Sequence, residues 1–188
     1  MSTFFQNNTR SVGVKIKIFG VGGAGSNVVN RLVSNGLKGV ETTCINTDEQ
    51  ALQQINNSAR LPIGKRSTSG FGAGGDPVIG RRAAEEDLRR IQDLVENTDL
   101  VFVTAGMGGG TGSGAAPVVA SAAKKQGALT VGVVSLPFEF EGATRKKICE
   151  EALSQMAKSV DSLLVVDNKQ VLKTCEPTIS IDSAFSAS

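Results

Sequence analysis

Gly20-Val21-Gly22-Gly23-Ala24-Gly25 follows an apolar run at residues 14–19 and opens an amphipathic stretch at residues 24–35. A strand that turns through glycines directly into a helix is the opening unit of a doubly wound α/β fold. The glycines permit the tight turn and let the backbone approach a phosphate. The helix N-terminus then aims unpaired N–H groups at that anion. Taken alone, this spacing points to a dinucleotide, with Asp48 placed where such folds put a ribose-binding carboxylate, about 20 residues on. A Walker A loop is excluded, because no Gly-Lys-Ser or Gly-Lys-Thr follows.

Outward from that unit, β-branched apolar runs recur at residues 41–46, 100–105, 129–136 and 162–166, each closed by Gly, Asn, Asp or Pro. Helical spacing fills residues 77–96, 114–126 and 143–158 between them. Continuous apolar strands alternating with helices predict an α/β fold: a Rossmann-like, mostly parallel sheet with helices on both faces and strand order 3-2-1-4-5-6. Residues 60–63 read as a short edge strand because Pro62 cannot donate to a ladder. The only long loop expected is residues 64–76. Residues 1–12 read as a disordered N-terminal extension, and residues 13–188 as one domain. Near the end, a helical turn at residues 169–174 gives way to Pro177, and a new amphipathic pattern with Ile181, Ala184 and Phe185 stops at Ser188. So short a helix is marginal by itself, which suggests a chain cut at the start of a longer helix.

A second glycine run changes the ligand expected of the first. Gly106-Met107-Gly108-Gly109-Gly110-Thr111-Gly112-Ser113-Gly114 also lies between a strand and a helix. In the order 3-2-1-4-5-6 the first and fourth strands are neighbours at the switch point, so both runs face one crevice. A dinucleotide needs one such loop, whereas a triphosphate gives each loop a group to hold. A third run, Gly70-Phe71-Gly72-Ala73-Gly74-Gly75-Asp76-Pro77, ends in a helix-start signal and reads either as a surface linker or as a further phosphate contact. Within Asn46-Thr47-Asp48, Asp48 suits either a helix cap or a hydrated Mg²⁺.

Composition narrows the chemistry. There are 20 Lys and Arg against 18 Asp and Glu, a net charge of +2, so nothing argues for a nucleic-acid partner. The chain has no His, Trp or Tyr, which removes histidine bases and His-ligated metals. Three cysteines, Cys44, Cys149 and Cys175, lack metal-ligand spacing and fit reduced thiols in the cytoplasm. No apolar run approaches the ~20 residues of a membrane span.

Gly108-Gly109-Gly110-Thr111-Gly112-Ser113-Gly114 resembles the signature of the tubulin/FtsZ superfamily. Joined by Gly22-Gly23-Ala24-Gly25-Ser26-Asn27, Asn46-Thr47-Asp48 and Pro137-Phe138-Glu139-Phe140-Glu141-Gly142, it is similar to the FtsZ-like division GTPases of bacteria and plastids over residues 14–188. The resemblance implies GTP or GDP with Mg²⁺. It implies nucleotide contacts from Gly22, Gly23, Gly25 and Asn27, from Met107, Gly108, Gly109, Gly110, Thr111 and Gly112, and from Pro137. Ala73 and Gly74 are implied near the γ-phosphate, Glu141 and Arg145 at ribose and guanine, Asn168 at the base, and Phe185 stacked on it. Asp48 is the implied metal residue, through water. The resemblance further implies a parent that assembles head to tail into filaments and meets membranes only indirectly, through anchors bound by a tail. It places the catalytic carboxylates on an acidic loop of the neighbouring subunit and none in this chain. Alone, the residues permit two other readings, an NAD-dependent oxidoreductase and a non-hydrolysing structural paralogue. Asp167-Asn168-Lys169 departs from the family's usual Pro-Asn-Asp.

Overall fold

The computed structural model describes residues 13–56 and 58–167. The expected N-terminal extension, Asn168, Phe185 and the helical patterns after residue 168 lie outside them. Strands β1 (Ile16–Val21), β2 (Glu41–Asn46), β3 (Ala59–Pro62), β4 (Leu100–Gly106), β5 (Leu129–Ser135) and β6 (Ser162–Val166) form one sheet. Every pair is parallel and the order is β3-β2-β1-β4-β5-β6, as the alternation of strands and helices predicts.

Period-two alternation assigns the two faces. Phe19, Val21, Val101, Val103 and Ala105 are fully or almost fully buried in the larger core, with Ala115, Ala116, Val119 and Ala120 of helix α6 (Gly110–Lys125). The opposite face carries a smaller core in which Ile18 and Cys44 meet Val29 of α1 (Gly22–Ser34) and Leu52 of α2 (Glu49–Gln53). Remaining helices are α3 (Lys65–Thr68), α4 (Pro77–Glu86), α5 (Leu88–Val95) and α7 (Ala143–Ser159), with a 3-10 turn at Glu139–Glu141.

Two expectations need correction. The stretch 77–96 is two helices, not one, and the break has a cause in its carboxylates. Asp87 accepts from Gly64 N (2.7 Å) and from Arg90 Nη1 (2.8 Å), while Glu86 accepts from Arg66 N (2.8 Å) and Ser67 Oγ (2.7 Å). Both side chains are thus turned to hold α3, which occupies part of the presumed loop at residues 64–76. The second correction is that α6 starts at Gly110 rather than Gly114, so half of the second glycine run is helix.

That helical glycine run reflects close packing of α4 on α6. A methyl group on Gly80 would sit 2.3 Å from the Gly110 carbonyl oxygen, and one on Gly114 would sit 2.1 Å from the Pro77 carbonyl oxygen. The two backbones approach as closely as they do only because both positions lack a Cβ.

The carboxylates at the loop clamps predict the acid limb of stability. The backbone N–H of Arg66, then Ser67, hold the Glu86 carboxyl below its ordinary value; Thr130 N–H, then Lys124, do so for Asp161. A depressed carboxylate stabilises the fold above its unfolded value, and that contribution fades as pH falls through the folded one. Urea midpoints are therefore expected to be flat near neutrality and to fall as pH drops below the ordinary carboxylate range, about 4. In Glu86→Gln that fall should be shallower; an unchanged slope would remove Glu86 from the account.

Candidate functional site

Register sets the site. β1 pairs with β4 so that Gly20 faces Thr104 and Val21 faces Ala105, which brings the carboxyl ends of the two strands level. Helices α1 and α6 leave from those ends. Their first turns touch: a methyl on Gly22 would lie 2.9 Å from Gly112 N. Neither helix has a side-chain cap or an acidic residue in its first turn. By contrast, Asp48 Oδ1 caps α2 through Ala51 N (3.0 Å), and Asp76 caps α4 through Val78 N (2.8 Å), with Pro77 in the first turn. Two uncapped helix N-termini therefore converge on one place, where their dipoles and unpaired N–H groups favour an anion with more than one charged group.

A cleft of about 510 Å³ lies over them. Gly22, Gly23 and Asn27 line it from α1; Met107, Gly109, Gly110, Thr111 and Gly112 line it from the junction of β4 and α6; Pro137, Glu141 and Arg145 close the side near β5 and α7. These predicted residues are brought together as the two-loop reading requires. Gly23 and Gly109 have nothing within 4 Å of an added Cβ, so the protein itself does not demand glycine there. The space they keep clear opens on the cleft.

Other predicted residues act from behind it. A methyl on Gly25 would meet the Thr104 carbonyl oxygen at 2.2 Å, so this glycine seats α1 on the sheet. Gly108, at φ +103°, turns the chain into α6 while its N–H donates to Ser113 Oγ (2.9 Å). Ala73 is buried and rests against Gly110, which sets the third glycine run beside the start of α6; Gly74 is exposed at its tip.

Glu141, at the end of the 3-10 turn, and Arg145, in the first turn of α7, form an ion pair with each other, and Glu141 Oε1 also accepts from Phe138 N (2.7 Å). The pair is thus held as a unit at the cleft's rim. Arg31 also lines the cleft and was missed, although it follows Asn27 by one turn on the same face of α1. Ser135 and Val166 line it as well. They carry no motif and reach the site only because β5 and β6 end there.

For a cation the described residues offer little. Among the described residues no three carboxylate, thiol or imidazole groups gather. Asp48 spends one oxygen on its cap. This donor set fits a Mg²⁺ held mainly by ligand phosphates and water, with Asp48 at most in its outer sphere.

The model of the Tubulin/FtsZ family GTPase domain matches residues 15–176. The chain belongs to the tubulin/FtsZ family. Among its relatives in this family, the cell division protein FtsZ of Pseudomonas putida is 48% identical over 170 residues, which are 90% of this chain and 43% of that protein. An empty FtsZ dimer from M. jannaschii superposes with a TM-score of 0.90 at 43% identity, covering 94% of this chain and 51% of that one. CetZ2 from Haloferax volcanii, solved as a GTPγS-bound protofilament, gives 0.83 at 29% identity over 93% and 54% of the respective chains. The chain spans about half the length of these tubulin/FtsZ relatives. Among the described residues no helix is long and apolar enough to cross a membrane.

Proposed function

We propose that this chain is the nucleotide-binding part of a cytoplasmic, filament-forming GTPase that serves cell division, and that GTP or GDP occupies the cleft between α1 and α6. The observation that carries this reading is the meeting of two uncapped helix N-termini whose glycines Gly23 and Gly109 keep the approach open. One such terminus suffices for a dinucleotide pyrophosphate; two give separate donor sets for the groups of a triphosphate. The GTPγS-bound protofilament of CetZ2 and a GDP-bound CetZ1 monomer, 29% identical to this chain, support the choice of guanine nucleotide.

Phosphates sit on the N–H groups of α1 and α6, with the Thr111 hydroxyl among their donors. Glu141 and Arg145 lie toward ribose and base. Ala73 and Gly74 stand near the terminal phosphate. Mg²⁺, when bound, neutralises phosphate charge. Among the described residues the one carboxylate lining the cleft, Glu141, is engaged by Arg145 and Phe138 N–H, so it is poorly placed as a base for water. Hydrolysis therefore depends on carboxylates brought by the next subunit of a head-to-tail filament, and positioning plus electrostatics provide the rate. Membranes are reached only through anchors bound elsewhere in the full-length protein.

Denaturing the freshly purified chain and resolving the released nucleotide tests this. Guanine nucleotide is expected, with negligible turnover of added GTP by dilute chain. Release of NAD, or failure to take up GTP or GDP at all, would overturn the reading, and rapid turnover by monomer would overturn the subunit-junction mechanism.

A further inference from the structure

Thr47 has no assigned role, yet it stands between the two parts of the site. It directly follows Asn46, the last residue of β2, and is 1% exposed. Its hydroxyl lies 2.6 Å from the Thr111 hydroxyl in the first turn of α6. Its carbonyl oxygen accepts from Gly72 N (3.1 Å), and Thr68 Oγ1 lies 3.4 Å from the same atom. Immediately after it, Asp48 bridges to Phe71 as an antiparallel pair and Glu49 N donates to Gly70 O (3.0 Å). The third glycine run is therefore laid along residues 47–49 by backbone bonds, and Thr47 alone of these three also reaches the phosphate cradle. Its own N–H is taken by Asn46 Oδ1 (2.8 Å), which fixes the residue from behind.

We infer that Thr47 is a positioning residue that couples the occupant of the cradle to the glycine loop at residues 68–75, through its hydroxyl on Thr111 and its carbonyl on Gly72. This rests on the cleft being a phosphate site. Two hydroxyls 2.6 Å apart share one hydrogen bond, and either can donate it. Thr111 also lines the cleft. An anion accepting from Thr111 takes that hydroxyl's hydrogen, so the Thr47 hydroxyl becomes the donor to Thr111 Oγ1. A chain of hydrogen bonds then runs from Thr47 to Thr111 to the anion, each bond polarising the next. With the cleft empty, the pair can reverse and this ordering is lost. The backbone of Thr47 carries the difference to Gly72, because its side chain and its carbonyl belong to one buried, fully bonded residue.

Hydrogen exchange on the 188-residue chain, empty and with GDP, tests the coupling. GDP is the probe so that no third phosphate meets the loop itself. In the unsubstituted chain and in Thr47→Ser, GDP should slow exchange across residues 68–76 several-fold. In Thr47→Val, GDP should still slow exchange at residues 107–113, while the effect at residues 68–76 disappears. Retention of that effect in Thr47→Val would overturn the inference and leave the nucleotide reading standing. Failure of Thr47→Ser to rescue would also overturn it, since the methyl group would then be what matters. Should Thr47→Val unsettle the whole sheet, Thr111→Val removes the same bond from the other side; it also removes a phosphate donor, so it is read with GDP raised to saturation, where the effect at residues 68–76 must again be absent. If the unsubstituted chain takes up no guanine nucleotide, the nucleotide reading fails, and the empty chain still decides: both valine variants must speed exchange at residues 68–76, or the coupling falls.

Discussion

Gly114→Ala is expected to lower the stability of this chain by about 3 kcal/mol or more, the upper end of what overpacking costs. The added methyl would sit 2.1 Å from the Pro77 carbonyl oxygen and 2.5 Å from Arg81 N, both backbone atoms of α4. No rotamer change relieves a clash with backbone, so α4 has to move off α6. That movement disturbs the Gly80 contact with Gly110 and the Ala73 contact at the head of α6 together. For a domain of this size the loss corresponds to a fall in Tm of roughly 10 °C. Thermal denaturation followed by circular dichroism measures it. A variant melting within a degree or two of the unsubstituted chain would mean that α4 and α6 are not packed this closely.

The same glycine explains why part of the fold was hidden in the sequence. Strand order and the meeting of the two glycine runs were legible, because five continuous apolar strands separated by helical periods leave few topologies open. The start of α6 was not. Glycine density within residues 106–114 signals a loop when read locally, whereas Gly110, Gly112 and Gly114 are helical residues that make room for other backbones. Their reason is tertiary, and no local propensity reports it. The split of α4 from α5 was hidden likewise: Glu86 and Asp87 fit a helix surface until their oxygens are seen to hold the N–H groups of Gly64, Arg66 and Ser67. Helix α2 was too short to show a period, although Asp48 was read as its possible cap and is one.

Within the site, spacing singled out the glycine runs, whereas Asn27, Thr111, Glu141 and Arg145 entered through the resemblance to the tubulin/FtsZ superfamily; by spacing alone Glu141 and Arg145 are an exposed i, i+4 pair. Arg31 could have been found by extending the Asn27 face one turn. Thr47 could not be singled out, because its importance lies in a partner 64 positions away. The glycines themselves divide by structure and not by motif. Gly20, Gly25, Gly112 and Gly114 are required by the protein, since an added methyl at each would fall within 2.4 Å of a carbonyl oxygen. Gly23 and Gly109 are not.

Gly109→Val separates those two kinds of glycine with a large effect on binding and almost none on folding. Gly109 has φ −96° and ψ 178°, an extended conformation open to any residue, and no atom lies within 4 Å of an added Cβ. Its substitution should leave Tm within a degree or two. In the cleft the valine side chain enters the space before the N-terminus of α6 and holds a phosphate off its N–H groups. Losing one hydrogen bond to a charged group costs about 1.5–3 kcal/mol, which is roughly a tenfold to hundredfold loss of affinity for GTP and GDP. Titration calorimetry with both nucleotides, beside thermal melts, reads the two quantities independently. A variant that binds as the unsubstituted chain does would take this loop off the ligand. A variant that binds weakly and also melts early would place Gly109 with Gly114, among the glycines the fold itself requires. Unchanged melting with weakened binding is the expected pair of results if the open space at Gly109 is kept for a phosphate, and no packing argument supplies another reason for glycine at that position.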